Sequence, residues 1–126
     1  MKVLIIECAI QLGTLWKQHL ERQGATATLV SSEDAAVTRL QEELFDVLIL
    51  DLDLEGDSAL AVADYARFRQ PEAQVIFVSS NSFFSDGSIF NLCTNACALI
   101  QADTPPDDLA AMAEHYARTA TGKAPS

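Results

Sequence analysis

Apolar residues occur along this chain in two textures, short solid runs and longer stretches with helical spacing. The solid runs are Val3-Leu4-Ile5-Ile6, Val47-Leu48-Ile49-Leu50 and Val75-Ile76-Phe77-Val78. Uninterrupted runs of this length suit strands buried on both faces of a parallel sheet. The first strand is expected over Lys2 to Glu7, and a second over Ala25 to Val30. Ala98 to Gln101 reads as a more modest fifth. Between them the period changes. Leu12, Leu15, Trp16, His19 and Leu20 fall at helical spacing, and Gly24 is a natural stop. Ser31, Ser32, Glu33 and Asp34 form a capped, acidic helix start, with Val37, Leu40 and Leu44 expected inward. A third helix from about Ser58 carries Leu60, Val62, Ala63 and Ala66, and Pro71 marks its end. A short helix is expected near Asp86 to Cys93. Pro105 and Pro106 open the last one, with Leu109, Met112, Ala113 and Tyr116 on one face.

Strict alternation of strand and helix predicts a single parallel sheet with helices on both faces, joined by right-handed crossovers. Residues 1–120 are expected to form one domain and 121–126 a frayed tail. In open sheets of this kind, ligands bind beyond the carboxyl ends of the strands. The residues there are Glu7 and Cys8, Asp51, Ser79 and Ser80, and Gln101 and Ala102. Glu7 and Asp51 end strands expected to be neighbours. Two converging carboxylates repel unless one is protonated or a cation lies between them. Oxygen ligands favour Mg²⁺. Asp51 is also a candidate nucleophile toward a phosphoryl donor.

Composition narrows the function classes. A net charge of −10 argues against binding a phosphate backbone or an anionic lipid surface, so neither nucleic acid nor membrane is an expected partner. No apolar run approaches the roughly 20 residues that span a bilayer. Glu7 breaks the first run after four residues, against a signal peptide, and the expected location is cytoplasmic. The three cysteines, Cys8, Cys93 and Cys97, match no zinc spacing and are expected as buried free thiols. Trp16 and His19 are expected to pack rather than to bind.

The whole chain resembles a response-regulator receiver domain, the family of the chemotaxis receiver. Lys2-Val-Leu-Ile-Ile-Glu-Cys8 resembles its first strand with a terminal acid pair, and Phe45-Asp-Val-Leu-Ile-Leu-Asp51 the strand that ends in the phosphoacceptor. Val75 to Ser80 resembles the strand that ends in a switch hydroxyl, and Ala96 to Leu109 follows the last strand and helix. The resemblance implies a flavodoxin-like three-layer α/β/α sandwich of five βα units. It implies Asp51 as phosphoacceptor and Ser79 as the hydroxyl that closes on the phosphoryl group. It also implies a weakly held Mg²⁺ on Glu7, Asp51 and the backbone carbonyl of Asp53. Such a domain is not an enzyme beyond self-phosphorylation and dephosphorylation at Asp51. Its partners would be a histidine kinase or phosphotransfer protein and an output protein. With no fused output domain expected, it would signal by protein–protein contact in a two-component phosphorelay.

Several positions depart from the family pattern. Cys8 stands for the second acid, and thiols are poor Mg²⁺ ligands. Ala102, followed by Asp103, stands where the family carries a lysine. A charge-assisted contact of the kind that lysine makes is worth about 1.5–3 kcal/mol. Leu99 occupies the aromatic switch position, and Glu55 and Ser58-Ala59 replace the proline and Asp-Gly of the loop after Asp51. The Asp53 carboxylate is a candidate for replacing charge lost at Cys8. Phe83 and Phe84 are adjacent and do not readily point the same way, so one of them is a candidate for a partner surface. Two other functions stay open. A pseudo-receiver would use the scaffold as a phosphorylation-independent binding module, favoured by Cys8 and Ala102. A haloacid-dehalogenase-type phosphotransferase is suggested by Asp51-Leu52-Asp53, although that motif normally ends a first strand, not a third.

Overall fold

In the computed structural model, residues 1–52, 59–79, 96–101 and 103–122 are described. The expected strands form as β1 (Lys2–Ile6), β2 (Thr26–Val30), β3 (Val47–Asp51), β4 (Gln74–Ser79) and β5 (Ala96–Gln101). They make one sheet in the order β2-β1-β3-β4-β5, with every pairing parallel. The described helices are α1 (Ile10–Arg22), α2 (Glu33–Glu42), α3 (Ala59–Arg69) and α4 (Pro106–Gly122). The helix expected near Asp86 to Cys93 lies outside the described residues. The last helix includes Thr121 and Gly122, two residues of the expected tail.

The solid runs explain the layers. Leu4, Ile6, Leu48, Leu50, Val75 and Phe77 face one side of the sheet, where Ala36 and Leu40 of α2 and Val62, Ala63 and Ala66 of α3 cover them. Val3, Ile5, Val47, Ile49, Ile76 and Val78 face the other, under Trp16 and Leu20 of α1 and Leu109 and Ala113 of α4. Each strand alternates between the two cores because successive side chains point to opposite faces. Both faces are covered, so no polar position interrupts the runs. Each fully buried Leu, Ile or Val contributes about 1.5–3 kcal/mol relative to exposure.

Local signals set the helix limits. The Ser32 side chain accepts the Ala35 N–H at 3.2 Å, and Glu33 and Asp34 sit in the first turn, so α2 starts where the sequence indicated. Gly24 follows α1 with φ +93, a left-handed conformation glycine adopts without a Cβ clash, and its N–H bonds to the Glu21 carbonyl at 3.0 Å.

Three expectations about burial fail. Leu44 is 76% exposed. Helix α2 ends at Glu42 because the buried Gln70 side chain caps it. Gln70 Nε2 donates to the carbonyls of Leu40 at 2.9 Å and Glu43 at 2.6 Å, while its Oε1 accepts the Phe45 N–H at 2.8 Å. The chain therefore turns at Glu43, Leu44 points out, and Phe45 takes the buried place. On the same helix Val37 is half-buried and Ala36 fully so. On α1 the buried stripe is Gly13, Trp16 and Leu20, which leaves Leu15 on the exposed side. Gly13 carries no apolar side chain and so gives no hydrophobic signal. The third failure concerns Cys8, which is exposed rather than buried. It lies after β1, beyond the reach of either core.

Among the described residues no helix is long and apolar enough to cross a membrane.

Candidate functional site

The site lies at the carboxyl ends of β1, β3 and β4. Strand β1 ends at Ile6, one residue sooner than expected, yet the ladder reaches Glu7, whose N–H donates to the Val30 carbonyl at 3.0 Å. The Glu7 side chain then folds over the start of α1, and its Oε2 accepts the Ala9 N–H at 3.0 Å. Gly13 makes this possible. A Cβ there would stand 2.6 Å from Leu29 Cδ1 and 3.4 Å from Glu7 Cβ, so the missing side chain lets α1 lie close against the strand ends. Glu7 is 3% exposed.

Asp51 is the last residue of β3 and is 7% exposed. It lies opposite Val78, and the next residue continues the ladder, with Leu52 N–H donating to the Val78 carbonyl at 2.8 Å. Its backbone is thus held against β4, which aims its side chain reproducibly. Ser79 ends β4, buried at 1% exposure, and pairs with Gln101 of β5. The expected neighbours are neighbours: β1 lies beside β3, with Ile6 opposite Leu50.

Carboxylate oxygens of Glu7 and Asp51 and the Cys8 Sγ all lie within 4.8 Å of one another. Cys8 is exposed as a residue, but its sulfur reaches the carboxylates. On sequence it is a position where a metal ligand has been lost, and the structure returns its side chain to the site. The signal was present, since Cys8 directly follows Glu7 at the strand end. A cavity of about 350 Å³ lined by Met1, Gln23, Asp46 and Glu114 is at the opposite pole and does not touch this group.

The two buried carboxylates fit a divalent cation, because a positive charge between them removes their repulsion. Glu7 and Asp51 are the described oxygen donors that would hold it. Asp53, Ala102, Phe83 and Phe84 lie outside the described residues. Leu99 is placed by its backbone only, opposite Phe77 in the ladder. His19, expected to pack, is half-buried on α1, with Nδ1 3.0 Å from the Leu15 carbonyl and Nε2 3.4 Å from Asp107.

Known proteins resemble this chain in sequence and in fold. The alginate biosynthesis transcriptional regulatory protein AlgB of Pseudomonas putida is 26% identical over 108 residues, 86% of this chain and 24% of that protein. The chain thus spans about a quarter of the length of this curated relative. A CheY-like response regulator receiver domain protein from Methanospirillum hungatei superposes with a TM-score of 0.87 at 20% identity, over 98% of both chains. The response regulator TrrA of Thermotoga maritima, solved in complex with Mg²⁺-BeF, gives a TM-score of 0.78 at 19% identity, covering 91% of this chain and 97% of that one. These structural likenesses bear out the flavodoxin-like α/β fold. The response regulator receiver domain family matches residues 3–112, and this chain belongs to it.

Proposed function

We infer that this chain works in two-component signalling by taking a phosphoryl group onto Asp51 from a phosphohistidine of a kinase or phosphotransfer protein. The observation that carries this reading is the burial of Asp51 beside Glu7 at the ends of adjacent strands, with Ser79 at the end of the next. In the reaction an Asp51 carboxylate oxygen attacks phosphorus, the P–N bond breaks, and the departing imidazole takes a proton. An acyl phosphate remains on Asp51. There is little covalent work for the protein beyond positioning and charge stabilisation. The end of β3 positions the nucleophile, and the hydroxyl of Ser79, at the end of β4, would donate to a phosphoryl oxygen. A divalent cation held by Glu7 and Asp51 would supply the positive charge; the relative from T. maritima was solved with Mg²⁺-BeF. The resulting change would be read by protein–protein contact.

Ala102 cannot supply the amine the family uses, a loss of about 1.5–3 kcal/mol of charge-assisted contact. Phosphoryl uptake is therefore expected to be slow. Cys8 and Ala102 together favour a second reading, a pseudo-receiver that binds partners without phosphorylation. Intact mass after incubation with a small phosphodonor and a divalent cation separates the two. A single phosphoryl adduct, lost in Asp51→Asn, supports the receiver. No adduct, with phosphorylated histidine proteins also supplied, rejects it in favour of the binding module.

A further inference from the structure

The cation pocket of this chain contains a sulfur. Glu7 and Cys8 are consecutive and Asp51 faces them from the next strand, so the three donors converge without any rearrangement of the fold. Cys8 is a free thiol, and its exposure lets it turn without disturbing either core. Mg²⁺ takes oxygen ligands in a strict octahedron and dehydrates reluctantly, so a thiol in its first shell is wasted. Zn²⁺ binds both donor types, at about 2.0–2.2 Å for carboxylate oxygen and about 2.3 Å for thiolate. In a tetrahedron those bond lengths set donor atoms about 3.3–3.7 Å apart. The present donors lie within 4.8 Å of one another. Closing that gap takes side-chain rotation and no movement of the strands. The three protein donors among the described residues leave a fourth tetrahedral position open.

We propose that Glu7, Cys8 and Asp51 form a site for a thiophilic divalent cation of the Zn²⁺ and Co²⁺ class, in preference to Mg²⁺. The proposal deepens the receiver reading, because it names the cation of the same pocket. Cys8 sets the preference and the two carboxylates supply the charge.

Co²⁺ titrated into the chain near neutral pH provides the test, read by absorption. The expected result is a sulfur-to-cobalt charge-transfer band in the near ultraviolet, with the strong visible bands of a four-coordinate ion. Stoichiometric Zn²⁺ should displace both, and a large excess of Mg²⁺ should not. Cys8→Ser should lose the charge-transfer band. Cys8→Asp should lose it too and shift cation preference toward Mg²⁺, read by competition. The thermal melt of Cys8→Ser should match the parent, since Cys8 is exposed, whereas Cys8→Asp adds a third carboxylate beside Glu7 and Asp51 and should melt lower until a divalent cation is added. Absence of the band, its survival in Cys8→Ser, or displacement by Mg²⁺ as readily as by Zn²⁺ overturns the proposal. The phosphodonor assay fails separately. An adduct on Asp51 without the band keeps the receiver and removes the thiophilic site, whereas the band without an adduct does the reverse.

Discussion

Gln70 is a polar side chain whose removal should destabilise the whole domain. It is 4% exposed and makes hydrogen bonds to three backbone groups: the Phe45 N–H and the carbonyls of Leu40 and Glu43. These bonds join the end of α2 to the start of β3, from a residue 25 to 30 positions further along the chain. Gln70→Ala leaves a buried N–H and a buried carbonyl unsatisfied, at about 1–3 kcal/mol each. Water can reach the Glu43 carbonyl, which is only part-buried, so its loss counts for less. The expected total is about 2–6 kcal/mol, a large fraction of the roughly 5–15 kcal/mol of a typical domain. With a urea m-value of about 2 kcal/mol/M, the midpoint should fall by about 1–3 M at unchanged m. Gln70→Glu sharpens the test. At neutral pH its carboxylate can still accept from Phe45 but cannot donate to either carbonyl. It should be at least as damaging as alanine and recover in part when acid protonates it. A Gln70→Ala midpoint within error of the parent, or a Gln70→Glu protein as stable as the parent at neutral pH, refutes the capping role.

Other predictions follow from the same packing. Leu40→Ala should cost about 2–5 kcal/mol in urea melts, whereas Leu44→Ser should stay within about 0.5 kcal/mol, because Leu40 is 1% and Leu44 76% exposed. The Trp16 indole N–H is buried with no acceptor among the described residues. Trp16→Phe removes that cost along with some volume and should be much milder than Trp16→Ala, which should lose about 3–5 kcal/mol. The Lys2 ammonium lies 2.6 Å from Glu43 and, with Arg39 beyond it, holds the Glu43 carboxyl below its ordinary 4.5. Its contribution is present above that value and is lost as pH falls through the lowered one. Lys2→Gln should therefore move the Glu43 carbon shift titration upward; an unmoved titration would show that Lys2 is not the cause.

Much of this fold was legible because a strand covered on both faces leaves an unmistakable trace. Val47-Leu48-Ile49-Leu50 has one reading, and the residue that ends it is the one the site is built on. Alternation of strands and helices then fixes which strand ends meet, and so pairs Glu7 with Asp51. What was hidden depends on contacts distant in sequence. Nothing near Leu44 indicates that a glutamine 26 positions away ends the helix and turns the leucine outward. Gly13 gives no apolar signal, yet its missing side chain brings α1 close to Glu7. Cys8 misled in another way. Its identity suggested a lost ligand and a buried thiol, but a residue just past a strand end is exposed and can still aim its side chain at the adjacent carboxylates.

The claim that Asp51 accepts a phosphoryl group is tested most directly by trapping the acyl phosphate. Borohydride reduces an aspartyl phosphate to homoserine, and peptide mass mapping locates it. The account predicts homoserine at position 51 after exposure to a phosphodonor, and none without the donor. Homoserine at another acidic position, such as Asp53 or Asp57, or none at all under conditions that label a known receiver, would contradict it.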